Sequence, residues 1–341
     1  MRFCKTLATR TPFPSTMKLY FPIRHFHHHF FTGVHPRPRT LPPLSRKLHV
    51  IRSSTPSPSP ATQPESQITE DAFEQLLSSP DTATITAKME RKTSASGCGR
   101  WFPYLDRFRV GDVCLSSEEV LDALELHLSD ARKDRLRKVA GSRSYSICLV
   151  VEGLSDFGNA SAAFRSADAL GVQSVHVVSD DSSKRYKETR NVSMGAEKWL
   201  DIELWDSISE CFDHLRSRGY RIATTHMGSD AVSICDINWS HPTAIVVGNE
   251  GRGISKEALE LSDLQCIIPM SGMVDSFNVS VAAGIIMHHA VHDRNLRLGS
   301  HGDLISEERQ ILLAEFFLRH SEAASSIVIE YAKRKGMVAR L

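Results

Sequence analysis

The stretch "IPMSGMVDSFNVSVAAGI", residues 268–285, opens like the end of a buried strand and passes through a loop of Pro, Gly, Met and Ser. It closes as a helix start rich in Ala, Gly and Val. Small residues at such a corner let another backbone come close, and Ala282, Ala283 and Gly284 predict that approach. Working outward, short apolar runs alternate with helical patterns from residue 144 onward. "ICLVVEG", "SVHVVS", "KWLDIELW", "YRIATTH", "TAIVVG" and "CIIPM" read as strands. "NASAAFRSADALG", "ISECFDHLRSRG", "SKEALELS" and "NVSVAAGIIMHHAVHDRNLR" between and after them read as helices. Strands that are apolar throughout, separated by helices, predict an α/β fold with a parallel sheet covered on both faces, over residues 145–299.

The flanks read differently. Residues 1–64 contain no Asp or Glu but ten Lys and Arg, with much Ser, Thr and Pro, the composition of a cleaved organelle transit peptide and otherwise of a disordered basic tail. The Ser/Thr/Pro content leans to a plastid and the arginines to a mitochondrion. Without that segment, 31 Lys and Arg face 40 Asp and Glu, near −9, so nucleic-acid contacts must come from local basic clusters. Such clusters lie at residues 131–143, 184–190, 216–221 and 333–336, each also readable as a solvated face. Residues 65–144 predict a mainly helical extension with RNA contacts: a short helix at "EDAFEQLL", residues 70–77, then one long amphipathic helix over residues 116–140. Ser116 or Ser117 is its candidate cap. Residues 300–341 predict two further helices. Seven scattered cysteines form no C-x-x-C pair, which fits a reducing compartment without a zinc site or disulfide framework. His288 and His292 have i, i+4 spacing but no third ligand nearby, so no metal is assigned. No apolar run reaches the roughly 18–20 residues a membrane helix needs.

Ligands of such sheets sit at the carboxyl ends of the strands, and three corners there stand out. In "EGLSDFGNASAAFRSADALG", Gly158 allows a turn, Asn159 is a candidate N-cap, and Arg165 follows on a small-residue helix, suited to a phosphate or 2′-oxygen. A cap and a surface arginine are the plainer alternative. In "VVGNEGRGISKEAL", three glycines after a buried strand suggest backbone pressed against a ligand, although Ile254 stands where a P-loop needs lysine. In the opening stretch, Pro269, Met270, Gly272 and Met273 can wrap an adenine and a methionine chain through backbone groups and soft apolar contacts. Ser276 and Asn278 add short hydrogen-bonding groups at the mouth of the next helix. A capped helix with tight packing is the plainer alternative here too.

Taken together, these corners resemble, in order, the three motifs of the SpoU/TrmH family of RNA ribose 2′-O-methyltransferases. "IPMSGMVDSFNVSVA" is the most specific of the three, and the resemblance covers roughly residues 147–299, with "AKRKG" more weakly. It implies a C-terminal deep trefoil knot, a fold feature that general folding rules alone would disfavour. It also implies S-adenosyl-L-methionine held by Thr225, His226, Gly248, Asn249, Ile268, Met270 and Phe277. Asn159, Arg165, Glu250, Ser276 and Asn278 are the residues implied at the reacting ribose. The implied protein is a homodimer whose active site is completed across the interface, and its partner is RNA, with no DNA or membrane. "GMV" before Asp275 and "AKRKG" look like the enzymes acting on the D-loop guanosine of tRNA, while "GNEGRG" is closer to the ribosomal-RNA type. The expectation is therefore organellar tRNA, then rRNA, with a non-catalytic knotted RNA-binding assembly factor as the alternative from another class.

Overall fold

The computed structural model describes residues 87–92, 100–153, 156–179 and 190–338. The expected transit peptide and the helix at residues 70–77 lie outside them. The described chain begins with a three-stranded antiparallel sheet, Lys88–Arg91 (β1), Tyr104–Val110 (β2) and Val113–Leu115 (β3). Along β2, Tyr104, Phe108 and Val110 are buried while Arg107 and Arg109 are exposed, the pattern of a strand with one wet face. The flank expected to be mainly helical thus starts as sheet.

Two helices follow, Ser117–Glu125 (α1) and Asp130–Gly141 (α2), where the sequence predicted one. Ser116 caps α1 and pairs with Glu119 in a capping box. Leu126 ends that helix, Leu128 turns into the core, and Ser129 starts the next. A single 25-residue helix would run about 37 Å and carry its apolar stripe past this small module. Broken, it brings Val120 and Leu124 of α1 and Leu136 and Ala140 of α2 into one cluster.

The larger sheet has seven strands. In chain order its elements are Ser144–Glu152 (β4), Phe157–Leu170 (α3), Val172–Val178 (β5), Arg190–Ser193 (α4), Asp201–Trp205 (β6), Ile208–Ser217 (α5) and Arg221–Thr225 (β7). Val232–Ser233 (β8), Thr243–Val247 (β9), Lys256–Glu260 (α6), Leu264–Ile267 (β10) and Val279–Leu298 (α7) complete it. The strand order is β6-β5-β4-β9-β7-β10-β8, and the pairings are parallel. β4 lies inside the sheet between β5 and β9, and all but its last residue is buried. Its alternation divides the two cores. Ile147, Leu149 and Val151 pack with Phe164 of α3 and Ile286 and Met287 of α7. Cys148 and Val150 pack on the other face with Phe212 and Leu215 of α5.

Two more helices, Ser306–Arg319 (α8) and Glu322–Val338 (α9), return to the beginning of the described chain. Phe316, Phe317 and Val328 share one apolar cluster with Phe108, Leu124 and Leu136. The two flanks therefore form one module rather than separate extensions. A buried ion-pair triad fastens it: Glu203 of β6 meets Arg91 of β1 at 2.6 Å and Arg218 at 2.9 Å. Burial alone would push that carboxyl up, but the two guanidinium groups outweigh it and hold it well below the usual carboxylate range.

Candidate active site

The three singled-out corners lie at the carboxyl ends of β4, β9 and β10. The first begins at Asp156, not Asn159: the Asp156 side chain caps α3 by accepting from the Gly158 N–H at 2.7 Å. Asn159 falls in the first turn, and its amide is thereby available for another task. Asn159 Nδ2 donates to Glu250 Oε1 at 2.9 Å, and Asn278 Nδ2 donates to Asn159 Oδ1 at 3.0 Å. Glu250, Asn159 and Asn278 thus form a continuous hydrogen-bonded chain across all three corners, over 91 and 119 residues of sequence separation.

Each end of that chain has its own support. Asn278 caps α7, its Oδ1 accepting from the Ser280 N–H at 3.0 Å and the Val281 N–H at 3.4 Å. That fixes the side chain with its amide pointing at Asn159. Glu250 stands on a tight turn in which Asn249 and Gly253 exchange backbone hydrogen bonds of 3.0 and 2.8 Å. The sequence suggested that the glycines here press against a ligand. Instead, Gly248 presses against its own loop: a Cβ there would sit 2.4 Å from the Gly253 carbonyl oxygen.

Arg165 is exposed on α3, and its side chain makes no ion pair or hydrogen bond among the described residues. Six residues after Asn159 place it about 9 Å along the helix and about two-thirds of a revolution around it. Ala162 and Ser166 beside it line an open, mainly apolar groove of about 720 Å³. Its far wall comes from α7 with Val281, Gly284, Ile285 and His288. His288 and His292 stack with ring centroids 6.4 Å apart, and no group of three or more His, Cys, Asp or Glu is gathered for a metal among the described residues.

Residues 146–288 match the model of the SpoU rRNA Methylase family. The tRNA (guanosine(18)-2′-O)-methyltransferase of Escherichia coli K12 is 33% identical over 213 residues, which span 62% of this chain and 89% of that protein. The chain belongs to the SpoU methylase family. The tRNA (guanosine(18)-2′-O)-methyltransferase of Thermus thermophilus is 35% identical over 167 residues, 49% of this chain and 84% of its own length. The solved TrmH/SpoU tRNA modifying enzyme of Aquifex aeolicus superposes with a TM-score of 0.51 at 32% identity, covering 55% of this chain and 95% of that one.

In this SpoU methylase the residues assigned to S-adenosylmethionine gather on three neighbouring strands. Thr225 and His226 end β7, Gly248 and Asn249 follow β9, and Ile268 and Met270 follow β10. Residues 269–277 make no hydrogen bond to other described residues, so their backbone donors and acceptors stand open. Met273 is 100% exposed, Val274 68% and Phe277 41%. Open backbone groups beside soft apolar side chains fit an adenine ring and a sulfonium chain, which are largely apolar with a few polar edges. Asn249 fits less well through its side chain, which is engaged by its own turn and by the Gly153 carbonyl. Ser276 is exposed at the end of the same bend. Sequence reasoning missed Asp156, although Asp two residues before a helix-opening Gly is a cap signal.

Proposed function

We propose that this protein methylates the ribose 2′-hydroxyl of the D-loop guanosine of organellar tRNA, taking the methyl group from S-adenosyl-L-methionine and working as a homodimer. The observation that carries the reading is the chain Glu250–Asn159–Asn278, which locks three distant corners into one polar surface beside the cofactor bend. A non-catalytic RNA-binding factor has no need of that alignment. The cofactor, when bound, supplies an electrophilic methyl group. Thr225, Ile268, Met270 and Phe277 would hold it, and the protein's remaining task is to orient a hydroxyl in line and ease its proton loss.

Arg165 suits the orienting role. Its planar guanidinium fork holds the 2′-oxygen and the adjacent phosphate electrostatically. Proton loss is then assisted by that phosphate. Ser276 and Asn159 would contact the ribose. Arg165 lies around the helix from Asn159, beside an apolar groove that a second copy would cover. That arrangement supports a site completed across two subunits, with Arg165 serving the partner's bend.

The knot belongs to the same reading. Its support is that β10 lies between β7 and β8, strands consecutive in the chain, as expected when a late segment is threaded between earlier ones. The organelle rests on the acid-free residues 1–64, and a fluorescent fusion of that segment would report plastid or mitochondrial import. The activity is tested with the full chain, S-adenosylmethionine and unmodified tRNA and rRNA transcripts, mapping products by mass spectrometry. One 2′-O-methylguanosine in the tRNA D-loop is expected. Methylation of rRNA alone would make ribosomal RNA the substrate, as for the 23S rRNA (guanosine-2′-O-)-methyltransferase of Shewanella oneidensis, 34% identical over 146 residues. Cofactor binding with no transfer to either would leave the assembly-factor alternative.

A further inference from the structure

Glu250 is exposed, yet it holds one end of the hydrogen-bonded chain. An exposed glutamate on a free loop would spread over its rotamers, because side-chain entropy competes with surface hydrogen bonds. Something must fix its backbone. The residue before it is fully engaged in doing so. Asn249 Oδ1 accepts from the N–H groups of Gly251 at 2.8 Å and Arg252 at 3.0 Å, while Nδ2 donates to the Gly153 carbonyl at 2.7 Å. Gly153 follows β4 on the way to Asp156 and Asn159, and its φ of +59° turns that carbonyl by a conformation suited to glycine. The Asn249 side chain therefore ties the turn carrying Glu250 to the corner carrying Asn159.

We propose that Asn249 is a positioning residue for methyl transfer, acting through Glu250 by clamping the β4–α3 and β9–α6 corners together rather than by contacting the cofactor with its side chain. Only an amide of this length serves. Aspartate accepts from the two turn N–H groups but cannot donate to Gly153, leaving oxygen facing oxygen. Alanine releases both corners.

The inference rests on the proposed methyl transfer for its rate readout, so the test adds a readout that needs no activity. In the full-length protein, Asn249→Asp, Asn249→Ala, Glu250→Ala and the double variant Asn249→Asp/Glu250→Ala are compared with wild type. Measured are kcat at saturating S-adenosylmethionine, KM for the tRNA transcript, cofactor Kd by calorimetry, and the NMR signals of the Asn159 side-chain amide. Asn249→Asp is expected to lower kcat on the order of 10- to 100-fold, the scale of a misplacement near 1 Å, with KM and Kd within about threefold. The double variant is expected to be no more than about twofold slower than Glu250→Ala, because both act on one unit. The Asn159 amide is expected to move in Asn249→Asp as it does in Glu250→Ala.

A raised cofactor Kd with normal kcat at saturation would overturn the proposal, as would losses that multiply in the double variant. Should Asn249→Ala not fold, Asn249→Asp, which keeps the turn's acceptor, carries the comparison. Were the wild type to methylate no RNA, the functional reading would fall, while the Asn159 amide would still decide this one: a shift in Asn249→Asp upholds it and an unmoved signal ends it.

Discussion

Asn278 does two jobs, and a single substitution can separate them. Its Oδ1 caps α7 and its Nδ2 reaches Asn159. Serine caps a helix about as well as asparagine but lacks the donor. Asn278→Ser is therefore expected to change unfolding free energy by less than about 0.5 kcal/mol while slowing methyl transfer at least about tenfold. Wild-type rates in that variant would remove Asn278 from the reacting surface. A different residue-scale effect concerns pH. Burial pushes the His176 imidazole down to about 4, and its Nδ1 accepts from the Trp205 indole at 3.0 Å, which requires the neutral ring. Burial, with Arg294 adding to it, likewise lowers His301 to about 4. In the unfolded chain both protonate near about 6.5, so the unfolded state binds more protons between the two values. Stability is then unaffected above about pH 6.5 and falls as pH drops toward 4, by at most about 3 kcal/mol per ring. Urea unfolding at pH 7, 5.5 and 4.5 should show that fall, and His176→Gln should make it shallower. An equal slope in that variant would contradict the assignment.

At the scale of elements, the corners matter more than the rods between them. The turn after β9 closes only because Gly248 has no Cβ, since the Gly253 carbonyl oxygen is 2.4 Å from where one would stand. That neighbour is backbone and cannot swing aside. Gly248→Ala is expected to cost about 1–3 kcal/mol and to displace Glu250, removing most methyl transfer while the far-ultraviolet circular dichroism stays close to wild type. Retained activity would mean the turn relaxes without moving the glutamate. Six of the larger sheet's seven strands were readable in the sequence because a parallel sheet buries both faces and leaves unbroken apolar runs; the two-residue β8 was not. The cap of α1 was readable because Ser116 and Glu119 have capping-box spacing. The break after Leu126 was not, because residues 116–140 keep a helical pattern throughout and only packing decides where it bends. Nor was the strand β2 readable: three exposed residues, Leu105 to Arg107, interrupt its alternation.

For the whole molecule, the flanks close on each other around a common core. Phe316 and Phe317 of α8 are fully buried there with Phe108 of β2 and Leu124 of α1. A chain ending at residue 299 would expose that surface, and burial of each such side chain is worth about 1.5–3 kcal/mol. It is expected to be recovered aggregated, as read by size-exclusion chromatography. Full solubility would instead make α8 and α9 a dispensable appendage. The groove between α3 and α7 makes an independent prediction. Val281, 48% exposed on its wall, is replaced by arginine in Val281→Arg, setting an unpaired charge in the proposed interface. Sedimentation should shift from dimer to monomer, and methyl transfer should fall with it if Arg165 serves the partner's site. A dimer that persists would place the interface elsewhere.

Sequence alone determined the alternation of buried strands and helices, the three ligand-end corners and the residue types they carry. These are local properties, written in periodicity and in motifs a few residues long. Tertiary structure decided which corners meet. It placed Asn159 within a helix capped by Asp156, tied Asn249 to Gly153, joined Glu250 to Asn278 through Asn159, and merged both flanks into one core. The long-range pairings have no local sequence signature, because a hydrogen bond across 91 or 119 residues depends on strand order, and strand order is set by the packing of the whole sheet.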